Sequence, residues 1–246
     1  MHEYIGSPSV GLTLYKLVKR QMLAGLSEGE WKPGEAIPAE KQLSLRFSVS
    51  IGTLRKAIDE LVAENILIRH QGRGTFVAMH SRDQHLFNFF NVVRHDGQRT
   101  APKLSLLRFA KAKAPKEVGE RLGIARSAKT FQFTNVLALN NKPVQVDEIV
   151  LPEALFAGLS EAELRNRPST LYSLYQVAYG LNVIRIEERV RATLASDTHA
   201  KLLNIEPGHA LLQVHRTAFS YNNQPVEYRV SHINTDHYEY FPKMAQ

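Results

Sequence analysis

An α+β chain in two parts is predicted by three observations. Apolar residues recur at helical spacing with capping signals over the N-terminal stretch, a glycine-punctuated hairpin closes that stretch near residue 77, and beyond residue 98 strand-like segments follow one another through tight turns. A length of 246 residues suits two domains. The expected division is an N-terminal unit over residues 1–78, a linker over 79–97 and a C-terminal unit over 98–246.

In chain order, residues 1–10 read as a loose arm. Leu14, Leu17, Val18, Met22 and Leu23 form the apolar stripe of a first helix, with Trp31 a core residue at its exit. Pro38-Ala39-Glu40-Lys41-Gln42-Leu43 opens a shorter helix with proline at or near its first position. Phe47-Ser48-Val49 is a tight connection, and the next helix starts at about Ser50, with Thr53 at its third position and Leu54, Ile58, Leu61 and Val62 facing inward. Two helices so joined make a helix-turn-helix. The exposed first turn of the second carries Gly52, Thr53, Arg55 and Lys56, while Asp59, Glu60 and Glu64 lie further along, so the positive, short-side-chain end suits a DNA major groove. Ile66-Leu67-Ile68 and Thr75-Phe76-Val77 flank Arg69-His70-Gln71-Gly72-Arg73-Gly74, a hairpin turn that reads as a wing.

Between the two parts, the polar run from His80 gives way to Leu86-Phe87-Asn88-Phe89-Phe90, an aromatic end suited to docking on the next domain or a partner chain. Lys103 to Lys111, Lys129 to Leu139, Val144 to Leu151, Ile184 to Leu194, Ala210 to Ser220 and Val226 to Ile233 read as strands. Pro115 to Leu122, Leu159 to Arg165, Leu171 to Tyr179 (closed by Gly180) and Ser196 to Leu203 read as helices, giving an antiparallel sheet with a few helices. Strand parity puts Arg185, Glu187, Arg189 and Arg191 on one face of their strand, and Glu227, Arg229 and Ser231 on one face of theirs. Each strand thus offers a polar face, which serves either a ligand or cross-strand ion pairs.

Composition narrows the function classes. The chain has no cysteine, so disulfides, thiolate nucleophiles and zinc knuckles are excluded. No window is apolar enough to span a bilayer and no signal peptide is evident, so a cytoplasmic address without membrane contact is expected. The net charge of +7 is unevenly spread: +2 over residues 1–78, +7 over 79–130 and −2 over 131–246. The case for DNA therefore rests on arrangement rather than total charge. There is no nucleophile elbow, H-E-x-x-H or phosphate loop; His80, His85, His232 and His237 form no metal spacing, and no metal or cofactor is implied.

Pro33-Gly34, Pro38-Ala39-Glu40, Val49-Ser50, Thr53-Leu54-Arg55-Lys56-Ala57 and Gly72-Arg73-Gly74-Thr75-Phe76-Val77, in this order and spacing, resemble the winged helix-turn-helix of GntR-type transcription regulators. The resemblance implies DNA contacts from Lys41, from Ser50, Ile51, Gly52, Thr53, Arg55 and Lys56, and from the wing residues Gln71, Gly72, Arg73 and Gly74. Ile51 stands where many relatives carry arginine, and Lys41 likewise replaces an arginine, which implies an altered operator. Pro143-Val144, Leu151-Pro152, Thr170-Leu171-Tyr172 with Tyr179-Gly180, Leu202-Leu203 with Pro207-Gly208, and Gln224-Pro225-Val226-Glu227-Tyr228 leading to Asp236-His237-Tyr238 resemble the UTRA effector-binding domain of the HutC branch, with its chorismate-lyase-like fold.

The same resemblance implies effector contacts at Asp147, Thr170, Tyr172 and Glu227. The Arg-x-Arg pair that many relatives direct at anionic effectors falls at Asn135 and Leu137, which leaves Arg189 or Arg229 to supply a guanidinium. The function implied is a homodimeric repressor that binds a double-stranded DNA operator under control of a small-molecule metabolite. Two other readings are a DNA-binding protein whose C-terminal domain only dimerises, and an enzyme of lyase-like fold.

Overall fold

The computed structural model describes residues 13–79, 90–167 and 170–242. The expected N-terminal arm and the His80–Phe89 part of the linker lie outside the described residues. The chain divides into two compact units, residues 1–79 and 80–246.

In the first unit, α1 (Leu14–Ser27) buries Val18, Met22 and Leu26, and Trp31 closes the core behind it. Leu14, expected in the apolar stripe, is exposed because it sits at the helix start, beyond the reach of the core. Helix α2 (Glu40–Arg46) has Ala39 as its N-cap, so Pro38 lies one residue before the cap rather than at the first helical position. The Gln42 side chain accepts from the Ala39 N–H at 3.2 Å and satisfies a donor that alanine cannot. Ser48 takes a positive φ of 52° in the connection, and α3 (Ile51–Ala63) starts behind Ser50, whose Oγ accepts from the Thr53 N–H at 3.1 Å. Leu54, Ala57, Ile58 and Leu61 form the buried face of α3. Strands β1 (Leu67–His70) and β2 (Gly74–Val77) pair antiparallel as the wing, and Gly72 and Gly74 adopt φ of 72° and 110°.

The second unit is a six-stranded antiparallel sheet of β4 (Lys103–Lys113), β5 (Lys129–Leu139), β6 (Lys142–Pro152), β7 (Arg185–Leu194), β8 (Ala210–Phe219) and β9 (Pro225–Ile233), in the order β4-β5-β6-β9-β8-β7. Among the described residues four helices cover it: α4 (Lys116–Leu122), α5 (Glu161–Asn166), α6 (Leu171–Tyr179) and α7 (Asp197–Leu203). Helices α5 and α6 pack on one face, where Leu164, Tyr172 and Tyr175 meet Phe131, Phe133, Ile149 and Leu151. Helices α4 and α7 pack on the opposite face, α4 against Tyr228 and α7 against Val146. Each predicted strand and helix of this unit forms, within about two residues at its ends. A second sheet was not foreseen: β3 (Val92–Arg94) pairs antiparallel with β10 (Tyr238–Tyr240). Three-residue strands leave no periodicity to read.

Candidate functional site

The first candidate surface is the exposed end of α3 with the wing. Ser50 is consumed as a cap, its hydroxyl also 2.9 Å from that of Thr53, so both short side chains are fixed in the first turn. Ile51 is 42% exposed at the first helical position and does not pack into the core. Gly52, Arg55 and Lys56 are exposed beside it, as are Lys41 on α2 and Gln71, Gly72, Arg73 and Gly74 at the wing tip. Arg55 is held rather than free: its Nε donates to Glu40 Oε2 at 2.7 Å, tying α3 to α2. Lys56 Nζ lies 4.3 Å from the centre of the Tyr15 ring.

The second candidate site is a cavity of about 630 Å³ in the C-terminal unit, on the sheet face covered by α5 and α6. Asn135, Asp147, Thr170, Tyr172 and Arg229 line it. Its floor is a connected ion-pair network. Arg229 forms a two-pronged pair with Glu227, Nε to Oε1 and Nη2 to Oε2 both at 3.0 Å, and its Nη1 reaches Asp147 Oδ2 at 3.2 Å. Ser231 Oγ and Gln145 Nε2 each donate to Asp147 Oδ1 at 2.6 Å. Tyr172 and Tyr175 donate to the two oxygens of Glu227 at 3.1 and 2.7 Å. Burial and the Glu227 charge push both phenols well above their usual range, so they remain donors. Burial alone would lower Arg229, but two adjacent carboxylates hold it charged.

This arrangement sorts the expected effector residues by role. Asp147 is a buried acceptor facing the cavity, whereas Glu227, 0% exposed and fully engaged, supports Arg229 and the tyrosines from behind. Thr170 lines the cavity while its Oγ1 caps α6, accepting from the Ser173 N–H at 3.2 Å. Arg189 does not join them. It is exposed on edge strand β7, and the register sets it across from His215 and Val230, on the far face of the sheet. The residues of β7 that share the cavity face with Arg229 are even-numbered, because Arg229 pairs with Arg216 and Arg216 with Glu188. Parity within one strand cannot predict which face two strands share; only the register does.

Sequence reading missed Gln145, Arg167, Arg216 and Tyr240 in the cavity lining, whereas Ser231 lies on the polar face it had marked. Arg216 Nε and Tyr240 Oη converge on Glu188 Oε1 at 2.7 and 2.6 Å. Arg167, at the end of α5, faces the cavity with its guanidinium donating to the Leu164 carbonyl; burial and the nearby Arg229 charge lower its pKa. Most telling is Asn135, in the place of a family arginine. It is 0% exposed, lines the cavity, and neither its Oδ1 nor its Nδ2 has a partner among the described residues. Asn91 Oδ1, also in the lining, is unpartnered too. Buried amides without partners are costly, and here one donor and two acceptors belong to residues in the wall of a chamber of ligand size.

Residues 14–77 match the gntR family of bacterial regulatory proteins and residues 97–239 match the UTRA domain. A "Probable fructoselysine utilization operon transcriptional repressor" of Shigella flexneri is 30% identical over 218 residues, covering 87% of each chain. A histidine utilization repressor of Pseudomonas aeruginosa is 27% identical, over 91% of this chain and 88% of that one. Among solved structures, a ligand-binding domain assigned to the GntR family, from Bordetella bronchiseptica, is 29% identical with a TM-score of 0.59, covering 63% of this chain and 96% of that one. PhnF from Mycobacterium smegmatis has the same fold at 20% identity and a TM-score of 0.53, over 92% of this chain and 98% of that one. The chain belongs to the gntR family of bacterial regulatory proteins, with a UTRA domain following its helix-turn-helix unit.

Proposed function

We propose that this regulator is a homodimeric repressor whose hold on its operator is broken when a small polar metabolite occupies the C-terminal cavity. The unpartnered Asn135 carries the reading: a buried amide in the wall of a 630 Å³ chamber, with neither oxygen nor nitrogen bonded among the described residues, suits a hydroxyl, amine or amide of a ligand. The cavity also argues against a C-terminal unit that only dimerises. Asp147, Gln145 and Ser231 form a hydrogen-bonding floor, while Arg229 is already shared by two carboxylates and offers no free fork for a phosphate. Arg167 lines the same chamber, makes no ion pair among the described residues, and suits one carboxylate or phosphate of the effector. The named relatives serve fructoselysine and histidine utilization, both systems of small polar compounds with amine and carboxylate groups.

The experiment is selection of bound duplexes from a random pool, followed by release assays with a panel of polar metabolites. One compound class should release the operator from the wild type. Asn135→Leu should keep its operator affinity and lose the response. Release of Asn135→Leu at the wild-type concentration would remove the asparagine from the site, and wild-type binding insensitive to every compound would favour constitutive repression.

A further inference from the structure

On the sheet face opposite the effector cavity, three groups that lie far apart in sequence come together: Glu148 on β6, His232 on β9 and His199 in the first turn of α7. One donor atom from each lies within 4.8 Å of the other two. Glu148 Oε2 is 3.8 Å from His232 Nδ1 and 3.9 Å from His199 Nε2. His232 is only 4% exposed, yet its Nδ1 has no hydrogen-bond partner and faces the carboxylate. We propose that Glu148, His199 and His232 form a binding site for a divalent transition-metal ion of the zinc class.

The donor set is right for such an ion: two imidazole nitrogens and one carboxylate oxygen, with a further position open to water beside the half-exposed Glu148. Tetrahedral zinc bonds of about 2.0–2.1 Å place donors roughly 3.3 Å apart, so each of the two Glu148–histidine distances must contract by about half an ångström. The buried His232 is the fixed point, and the Glu148 side chain, 52% exposed, moves most easily. The two imidazoles now stack, centroids 3.8 Å apart and 29° between planes, so His199 must turn about its side-chain bonds to aim its nitrogen at the shared point.

The partners behind His232 fit the same role. Its other nitrogen, Nε2, lies 2.7 Å from the Gln213 amide, which continues to His215 Nε2 at 3.0 Å, and His215 Nδ1 lies 2.6 Å from Tyr228 Oη. An amide can be turned end for end in such a chain. With Gln213 Oε1 toward His232, the Nε2–H is donated to a carbonyl and the Nδ1 lone pair is freed, which is how a metal-bound histidine is usually supported. The cost is the bond from Arg191 Nε to Gln213 Oε1, made by an exposed side chain that can swing away.

The location gives the ion a consequence. Asp147 and Glu148 are consecutive on β6, and Ser231 and His232 on β9, so the same two strands present the effector floor on one face and the metal donors on the other. A bound ion would clamp α7 to those strands.

The test uses the full-length chain without an affinity tag, stripped with chelator and titrated calorimetrically with Zn²⁺, in parallel with Co²⁺ followed by visible absorption. Neither readout involves DNA or effector, so the outcome is independent of the repressor reading. The expected result is one ion per chain with micromolar or tighter affinity and a four- or five-coordinate Co²⁺ spectrum. His199→Gln and Glu148→Gln change the more accessible donors and spare the buried one. Each should weaken binding on the order of 100-fold, and Gln213→Leu, behind the site, by about 10–100-fold. Circular dichroism of each variant verifies the fold. Binding weaker than about 100 μM in the wild type, or unchanged in both His199→Gln and Glu148→Gln, would overturn the site.

Discussion

At the scale of single residues, Ile51 and Glu227 show how the surroundings of a side chain fix what it can contact. Ile51 faces outward at the first position of α3 rather than inward toward Phe47, so its side chain is available to a thymine methyl and can reject nothing by hydrogen bonding. Ile51→Arg should therefore gain guanine discrimination of roughly 1–3 kcal/mol at one base pair per half-site, with an unchanged melting temperature. Base preferences at every half-site position, measured for both proteins, check this; a lowered melting temperature with the same preferences would mean that Ile51 is structural. Glu227 is the reverse case. Its motif marks it for effector contact, yet both oxygens are engaged by Tyr172, Tyr175 and Arg229 inside the protein. Removing one partner of a buried ion pair strands the other, so Glu227→Ala should cost about 3–5 kcal/mol in urea denaturation of the C-terminal unit. A loss under about 1 kcal/mol would show that Arg229 finds sufficient support in Asp147. The motif signalled that Glu227 mattered, but which side of the cavity wall it served depended on tyrosines 52 and 55 residues away.

At the scale of elements, legibility followed local chemistry. Helix α6 ends at Gly180, which takes φ 66°, and α7 starts behind the Ser196 hydroxyl; both boundaries were readable because each is set by one residue. The β3–β10 pair joins segments almost 150 residues apart and has no such marker. The same limit hid the Glu148, His199 and His232 cluster, whose members carry no spacing signal and meet only through the β6–β9 register and the docking of α7. The wing belongs to the readable class. Gly72 needs a positive φ, and a Cβ there would meet open space, so a substitution strains the turn without colliding with the core. Gly72→Val should thus weaken operator binding while leaving the proposed dimer intact, as tested by fluorescence anisotropy on operator DNA and sedimentation of the free protein. Unaltered DNA affinity would detach the wing tip from the groove.

At the scale of the whole molecule, charge does not single out the reading head. The N-terminal 78 residues carry only +2, and Arg55 and Arg69 are partly neutralised by Glu40 and Asp59. A head of so small a net charge gains little from long-range attraction to DNA, so tight, selective binding calls for two heads acting together. The proposed homodimer would supply them on a pseudo-palindromic operator, with half-site centres separated by a whole number of helical turns. The separation is then a property of the dimer and cannot be absorbed by either head alone. Inserting about 5 base pairs between the half-sites of the selected operator turns one of them to the opposite side of the duplex, while inserting about 10 restores the facing at a greater distance. Affinity should fall on the order of 100-fold with the first insertion, approaching that of a single half-site, because the second head no longer binds at high effective concentration. The longer insertion should recover part of the loss if the link between the heads can stretch by one helical turn, about 34 Å, and none if it cannot. Titration of the three duplexes at one salt concentration measures this directly. Equal affinity for the parent and the 5-base-pair insertion would mean that each head binds alone, and would remove the change in head spacing as the route by which an effector releases DNA.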